Sequence, residues 1–453
     1  MNKLKSLFNF WATGPDAPRV MDQDQIDRSY KKIRRQLVVF LTFGYGVYYV
    51  CRLALSVIKK PLIDNGIFTP EELGQIGAAL FYGYAAGKLT NGFLSDHTNT
   101  RRFMVTGLVI SALCNMIMGF STTLLVFTVM WALNGWFQSF GAASSIVTLS
   151  RWFSNSERGV YYGIWSSSHS IGEGITFIGT AVVVEYFGWR AGFVGAGVFA
   201  LLVAVLLSIF LKDRPQTLGL PTVAEWKDGK KIEEESSKPL QKDILSHQLS
   251  VFKHPAVWVL ALASASMYIT RYAVNNWGIL YLQEFRGMDM TEAAGLLGIN
   301  TIAGIGGCIA YGFISDKLFN ARRPPVNLIF ALLEIVSLVV IYYVPNTSYA
   351  VLAVAFAIYG FTLSGLLAVI GGLFAVDVVS KKATGAVIGV MGIVSYIGAG
   401  LQEQVSGWLI GRGSHMVDGA MVYDFTIPRL FWVGMAVVSM LLAASLWKVK
   451  AED

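Results

Sequence analysis

The sequence predicts an all-α integral membrane protein of twelve transmembrane helices, arranged as two pseudo-symmetric halves of six. Three observations carry this. Of 453 residues, 54% are hydrophobic and only 14% charged, with a mean hydropathy of +0.53; soluble domains carry about 25% charged residues. Apolar runs of the roughly 20 residues that a helical span requires recur twelve times. A motif in the first half, Gly92-Phe-Leu-Ser-Asp96 followed by Arg101-Arg102, returns as Gly312-Phe-Ile-Ser-Asp316 followed by Arg322-Arg323, an offset of 220 from Asp96 to Asp316.

The runs lie at about 37–58, 74–94, 103–121, 123–148, 160–185 and 191–211, then at about 256–283, 292–314, 325–344, 349–375, 384–410 and 427–447. Ahead of them is a largely polar segment, 1–36. Its short apolar stretch, Leu7 to Trp11, does not make a cleavable signal. The long polar stretch Lys212 to Lys253, rich in Lys, Glu and Ser, reads as a solvated linker. The expected organisation is therefore an N half at 37–211, a linker at 212–255, a C half at 256–447 and a tail at 448–453.

Basic residues set the expected orientation. Lys31, Lys32, Arg34 and Arg35 precede the first span. Arg101 and Arg102 follow the second, Arg151 and Arg158 the fourth, Lys317, Arg322 and Arg323 the eighth, Lys381 and Lys382 the tenth, and Lys448 and Lys450 the last. Alternate loops share one side of the bilayer, so all of these fall on one side, with both termini. That side is expected to be cytoplasmic in a cell inner membrane. Lys59 and Lys60 are the main exceptions. The net charge of +7 thus follows membrane topology, and no nucleic-acid partner is expected. Cys51, Cys114 and Cys308 all lie in apolar runs and make no disulfide framework.

Two arginines sit inside spans at matching places: Arg52 in the first span of the N half and Arg271 in the first span of the C half, 219 apart. A guanidinium stays charged at any accessible pH, and at the centre of a span it costs about 2.5–3.5 kcal/mol on insertion scales. Carrying that cost twice, symmetrically, points to a shared anion and to a carrier for a phosphate-bearing solute. Duplicated halves place such a site at their interface near the midplane. Guanidinium forks match phosphate oxygens bidentately.

Other polar residues share helical faces with the pair. Tyr45, Tyr49 and Arg52 are spaced i, i+4, i+7. Tyr84 and Lys88 are four apart, His169 and Glu173 four apart, and Tyr268 and Arg271 three apart, with Tyr396, Gln402 and Glu403 on the eleventh span. These faces meet only if spans 1, 2, 5, 7 and 11 line one cavity. Each residue also has a plainer role open to it. Arg52 could snorkel outward, Lys88 could anchor at the interface, His169 could be a packing residue and the tyrosines could form an interface belt. Glu173 and Glu403 could neutralise cations or touch substrate. Asp96 and Asp316, with Arg101, Arg102, Arg322 and Arg323, are expected as conformational loops that latch helix ends. No metal-ligand cluster, nucleophile–base pair or phosphate-cradling glycine loop of known spacing is present; no enzyme activity, metal or cofactor is expected.

Several motifs carry a family resemblance along nearly the whole chain: Phe43-Gly-Tyr-Gly-Val-Tyr-Tyr-Val-Cys-Arg52, Gly83-Tyr84 with Lys88, Asn134-Gly-Trp-Phe-Gln-Ser-Phe-Gly141, Arg151-Trp-Phe with Glu157-Arg-Gly159, Trp165 with His169-Ser-Ile-Gly172, Asp213-Arg-Pro-Gln-Thr-Leu-Gly-Leu-Pro221, Tyr268 with Arg271 and Asn276-Trp277, and Lys381-Lys-Ala-Thr-Gly385. The chain resembles the organophosphate:phosphate antiporters of the major facilitator superfamily. It is nearest to the bacterial hexose-phosphate transporter and sensor branch, through Asn275-Asn-Trp277 and Gly219-Leu-Pro with Glu225-Trp226. The resemblance implies a monomer in which Arg52 and Arg271 bind phosphate and Tyr45, Tyr49, Lys88, His169, Tyr268 and Tyr396 line the same cavity; Tyr84 and Asn276 are expected among the substrate contacts as well. It implies exchange of a sugar phosphate, such as glucose 6-phosphate, for inorganic phosphate. Alternatives are a hexose-phosphate sensor signalling to a partner kinase, and a glycerol 3-phosphate transporter. Four positions depart from the family pattern: Leu53 for a lysine, Ala142-Ala-Ser for Trp-Pro-Pro, and Asn276 and Thr301 for acids.

Overall fold

A computed structural model of the protein describes residues 10–228, 251–319, 322–374, 384–417 and 420–447. Half of the expected linker, residues 229–250, lies outside the described residues, as do Lys381, Lys382, the tail from Lys448 and the side chain of Asp316. Among the described residues the chain makes twelve helical passes. Span 1 is Gln23–Asp64, span 2 Pro70–Asp96, span 3 Thr100–Gly119 and span 4 Leu124–Trp152. Span 5 begins as Asn155–Ser166 and Ser168–Ile175, widens into a π turn at Thr176–Thr180 and runs to Gly188. There a φ of 79° breaks the helix and turns the chain into span 6, residues 189–210. Glycine reaches that left-handed region without the steric penalty of a Cβ.

The second half repeats the plan. Span 7 is Pro255–Arg286, span 8 Met290–Leu318 and span 9 Arg323–Tyr343. Span 10 is Tyr349–Ala368, extended by a second π turn at Val369–Leu373. Span 11 is Thr384–Gly413 and span 12 Thr426–Ser445. A small antiparallel hairpin, β1 His415–Val417 and β2 Ala420–Val422, joins the last two. Nine described helices are long and apolar enough to cross a membrane by length and composition, with residues 157–210 counted as one. Pro70–Asp96 and Leu124–Trp152 fall outside that set, and both carry polar side chains inward: Asn91 on span 2, and Asn134 and Gln138 on span 4, are fully buried. The chain is thus a multi-pass membrane protein whose least apolar helices line its interior.

Helix starts are written locally. Thr69 with Glu72, and Asp289 with Glu292, form reciprocal capping boxes at spans 2 and 8. Span 1 starts at Gln23, ahead of its apolar run, because its first turns have partners in later chain. Tyr30 stacks on Trp226 at 4.2 Å between ring centroids, and its hydroxyl donates to the Pro221 carbonyl at 2.5 Å. Arg34 and Lys227 both pair with Glu157, at 2.5 and 2.6 Å. Residues 10–20 lie as a strap over the same end. Trp11 packs on Phe103 and Phe140, and Ala17 and Val20 donate backbone hydrogen bonds to Gln216 and Gly219.

The halves meet through spans 2 and 11, 5 and 8, and 1 and 7. At the end away from the strap, spans 2 and 11 touch backbone to backbone. A Cβ on Gly74 would stand 2.5 Å from the Glu403 carbonyl oxygen, and one on Gly407 2.5 Å from the Pro70 carbonyl oxygen. Towards the strap end, by contrast, a Cβ on Gly92, Gly159, Gly163, Gly312 or Gly389 would meet nothing described within 4 Å. These glycines lie on spans 2, 5, 8 and 11; spans 2 and 11 thus touch backbone to backbone at the far end and have open space at these positions towards the strap end.

Spans 1 and 5 are held in equally close contact at Gly46 and Gly172, where a Cβ on Gly172 would fall 2.1 Å from the Gly46 carbonyl oxygen. Backbone cannot give way as a side-chain tip can. Gly172→Ala is therefore expected to destabilise the protein by about 1–3 kcal/mol, read as a lower thermal unfolding midpoint in detergent. An unchanged midpoint would show that the two helices part freely.

Candidate substrate site

Arg52 stands midway along span 1, and its neighbours are neutral. It is 3% exposed. Its Nε donates to Gln138 Oε1 at 3.3 Å and its Nη1 to the Tyr396 hydroxyl at 3.5 Å. The guanidinium lies over the rings of Tyr49 (4.6 Å) and Tyr84 (4.5 Å); such stacking attracts the cation without neutralising it. Nη2 is buried with no hydrogen-bond partner. Spans 3 and 4 fix this geometry from behind. Gln138 Nε2 donates to the Tyr48 carbonyl at 2.8 Å, and Asn134 and Asn115 both donate to the Cys51 carbonyl, at 2.9 and 3.0 Å. Gln138 was not singled out from the sequence. Its signal was present in the spacing of Asn134 and Gln138, four apart in an otherwise apolar run.

Arg271 on span 7 is 6% exposed and has a charged partner. Its Nη2 meets Glu173 Oε1 of span 5 at 2.5 Å, an ion pair that crosses from one half to the other. His169, one turn before Glu173, and Ser170 line a polar cavity with both of them. Asn275, Asn300, Thr301 and Ser364 supply its C-half wall. The Oδ1 atoms of Asn275 and Asn300 and the Tyr272 hydroxyl are buried without hydrogen-bond partners.

A belt of rings joins the two arginines. Tyr45 stacks on Trp165 (4.9 Å) and meets Tyr49 edge-on (5.7 Å); Tyr49 lies 6.2 Å from His169. Tyr396 contacts Tyr84 at 4.4 Å and Tyr268 at 5.5 Å. Tyr272 lies beside Tyr268 and under the Arg271 guanidinium, at 5.4 Å. Lys88 reaches the same belt, its Nζ 5.2 Å from the Tyr396 ring and 5.9 Å from that of Tyr84. The structure therefore gathers Arg52, Arg271, Lys88, His169, Glu173 and Tyr45, Tyr49, Tyr84, Tyr268 and Tyr396 around one interior region.

Three of the sequence candidates lie elsewhere. Glu403 Oε2 pairs with Lys59 Nζ at 2.8 Å, and Asn276 Nδ2 donates to Glu403 Oε1 at 2.5 Å. Lys59 is 1% exposed and sits 3.4 Å over the Trp277 ring. Gln402 faces away, donating to Ser406 at 2.9 Å. Lys59 and Glu403 thus form a second buried tie between the halves, at the closed far end. At the strap end, the loop arginines act within the N half. Arg151 pairs with Asp213 at 2.6 Å and donates to the backbone carbonyl of Asp96 at 3.0 Å. Arg101 and Arg102 donate to the carbonyls of Ser208 and Phe10. In the C half, Arg323 donates to Ser315 at 2.8 Å, and exposed Arg322 is the residue before span 9. Asp213, buried and also accepting from the Thr100 backbone N–H at 2.9 Å, is the hub that the repeat-based reading passed over.

Comparison with known proteins fits this geometry. Residues 41–402 match the family model of the Major Facilitator Superfamily. The chain is 34% identical over 409 residues, 90% of its length and 92% of the other, to the membrane sensor protein UhpC of Escherichia coli (strain K12). It is 32% identical over 445 residues, 94% of its length and 96% of the other, to the "Probable hexose phosphate transport protein" of Chlamydia muridarum (strain MoPn / Nigg). Among solved structures, a bacterial homolog of the human lysosomal transporter Spinster, inward-facing and unoccupied, superposes with a TM-score of 0.72 at 16% identity, over 93% of this chain and 99% of that one.

Proposed function

Because the chain belongs to the Major Facilitator Superfamily, a family of transporters and not of enzymes, we propose that it exchanges a sugar phosphate for inorganic phosphate by alternating access, with a hexose 6-phosphate such as glucose 6-phosphate as the organic substrate. One observation carries this reading: two buried guanidiniums, one from each half, flank a single ring-lined interior, and one of them keeps an unspent arm. Three cations, Arg52, Lys88 and Arg271, stand there against one carboxylate, Glu173. The surplus suits a phosphate monoester dianion. The unpartnered Oδ1 atoms of Asn275 and Asn300 suit the hydroxyls of a sugar, which can donate to them.

The exchange then runs as follows. Phosphate lodges between Arg52 of the N half and Arg271 of the C half and screens their mutual repulsion. The loaded halves can rock about the site. The empty halves, left with three cations against the single Glu173 carboxylate, cross slowly, so return transit requires a second phosphate-bearing solute. With the termini in the cytoplasm of a bacterium-like cell, the strap end faces inward and the Lys59–Glu403 end seals the outside. Counterflow of labelled phosphate in proteoliposomes against a panel of organophosphates tests the proposal. Hexose 6-phosphates are expected to drive uptake more strongly than glycerol 3-phosphate. Uptake indifferent to every organophosphate would overturn it.

A receptor reading is favoured by the 34% identity to a protein named as a membrane sensor. In that case the same site binds a hexose phosphate and the chain signals to a partner kinase. Tight binding of the sugar phosphate without any counterflow would select this second reading.

A further inference from the structure

The two arginines of the site are not equivalent, and the difference is the carboxylate of Glu173. Arg52 has only neutral partners and a buried Nη2 with none. Arg271 has one arm already taken, at 2.5 Å, by Glu173 from the opposite half, in a pair where both side chains are more than nine-tenths buried. A carboxylate and a phosphate favour the same fork of a guanidinium, and either fork includes Nη2. Two anions brought to that one nitrogen repel each other, so Glu173 and a bidentate phosphate compete for it. Glu173 also lines the cavity beside Arg271, with His169 and Ser170 on its own helix and Asn275, Asn300 and Thr301 across from it, so a displaced carboxylate has neutral donors within the same chamber.

Resting on the phosphate-exchange reading above, we propose that Glu173 is a resident competitor for the Arg271 phosphate seat: it holds that arginine while the site is empty and is displaced when phosphate bridges Arg271 to Arg52. Phosphate first meets the open side of the site, Arg52 and Lys88. It then exchanges with Glu173 at Arg271. One cross-half tie, Glu173 to Arg271, is replaced by another, Arg52 to phosphate to Arg271. Glu173 sets the affinity in both directions. It weakens binding, and by the same competition it drives phosphate off again when the site opens, which keeps turnover fast.

Equilibrium binding of labelled inorganic phosphate to the purified full chain in detergent, with counterflow in proteoliposomes, tests this. Glu173→Gln removes the competing charge and keeps the side-chain shape. It is expected to bind phosphate about tenfold more tightly, the equivalent of about 1.4 kcal/mol, while maximal counterflow falls several-fold because release slows. Glu173→Asp retains the charge but withdraws it by one methylene. It is expected to tighten binding less, in the same direction, and it gives the answer if the Gln variant does not fold. Phosphate binding by the wild type together with unchanged or weaker binding by the variants overturns this inference alone and makes Glu173 a brace or a direct substrate contact. Absence of phosphate binding by both the wild type and Glu173→Gln overturns the phosphate reading, and the inference with it.

Discussion

Arg52→Lys and Arg271→Lys are each expected to reduce phosphate counterflow to about 1% of wild type or less. The charge is retained in both, so the loss measures geometry. At position 52 the fork makes three kinds of contact at once: Nε on Gln138, Nη1 on Tyr396 and a planar face on the rings of Tyr49 and Tyr84, which together leave Nη2 aimed and free. A lysine ammonium is a compact point charge that cannot reproduce a planar fork. Losing two charge-assisted hydrogen bonds of about 1.5–3 kcal/mol each corresponds to a hundredfold or more. Initial rates in proteoliposomes, normalised to folded protein, check the result. Wild-type rates in both lysine variants would remove the arginine pair from the mechanism.

The second large effect lies at the far end. Lys59 and Glu403 are 1% and 0% exposed and pair at 2.8 Å. Removing one partner strands a buried charge, which costs about 3–5 kcal/mol, whereas replacing both by neutral groups of similar shape is often nearly neutral. Lys59→Met and Glu403→Gln are therefore each expected to lower the thermal unfolding midpoint markedly, and the double variant to recover most of the loss. The four midpoints make a double-mutant cycle. A double variant as unstable as the worse single would show that the two side chains do not act on one another.

Much of the fold was legible because hydrophobic length is a one-dimensional signal. A span must be about 20 apolar residues whatever it packs against, and the repeated Ser-Asp and Arg-Arg segments mark the duplication within the chain. The true start of span 1 was not legible. Tyr30 and Arg34 are helical because Trp226 and Glu157 come back to meet them, and a window of sequence does not contain both. Lys59 was read as an external loop charge for a related reason: hydropathy registers a charge and not its partner, and the partner is on span 11.

Face and depth are also different quantities. Glu403 follows Tyr396 by seven residues, as Lys59 follows Arg52. Seven residues return to the same helical face but advance about 10 Å along the axis. The two pairs, Arg52 with Tyr396 and Lys59 with Glu403, thus stand two turns apart on the same two helices, one at the site and one at the far-end seal. The sequence reading put Glu403 in the site and Lys59 in an external loop, because helical spacing relates positions by face and cannot assign their levels. Asn276, five residues beyond Arg271, went to the deeper level with Glu403. Glu173 was placed with the cations by its spacing from His169, but that it faces Arg271 depends on how spans 5 and 7 cross.

The strap and its clasp also order the protein's biogenesis. Tyr30 and its acceptor Pro221 are 191 residues apart, which at ribosomal speeds of about 5–20 residues per second separates their emergence by about 10–40 s. During that interval the start of the first helix gains Trp152 and Glu157 but still lacks its last distant partners, Pro221 and Trp226. The N half is therefore not finished when its sixth helix enters the bilayer. It is finished when the segment through Trp226 has followed and folded back onto the nascent chain's first turns.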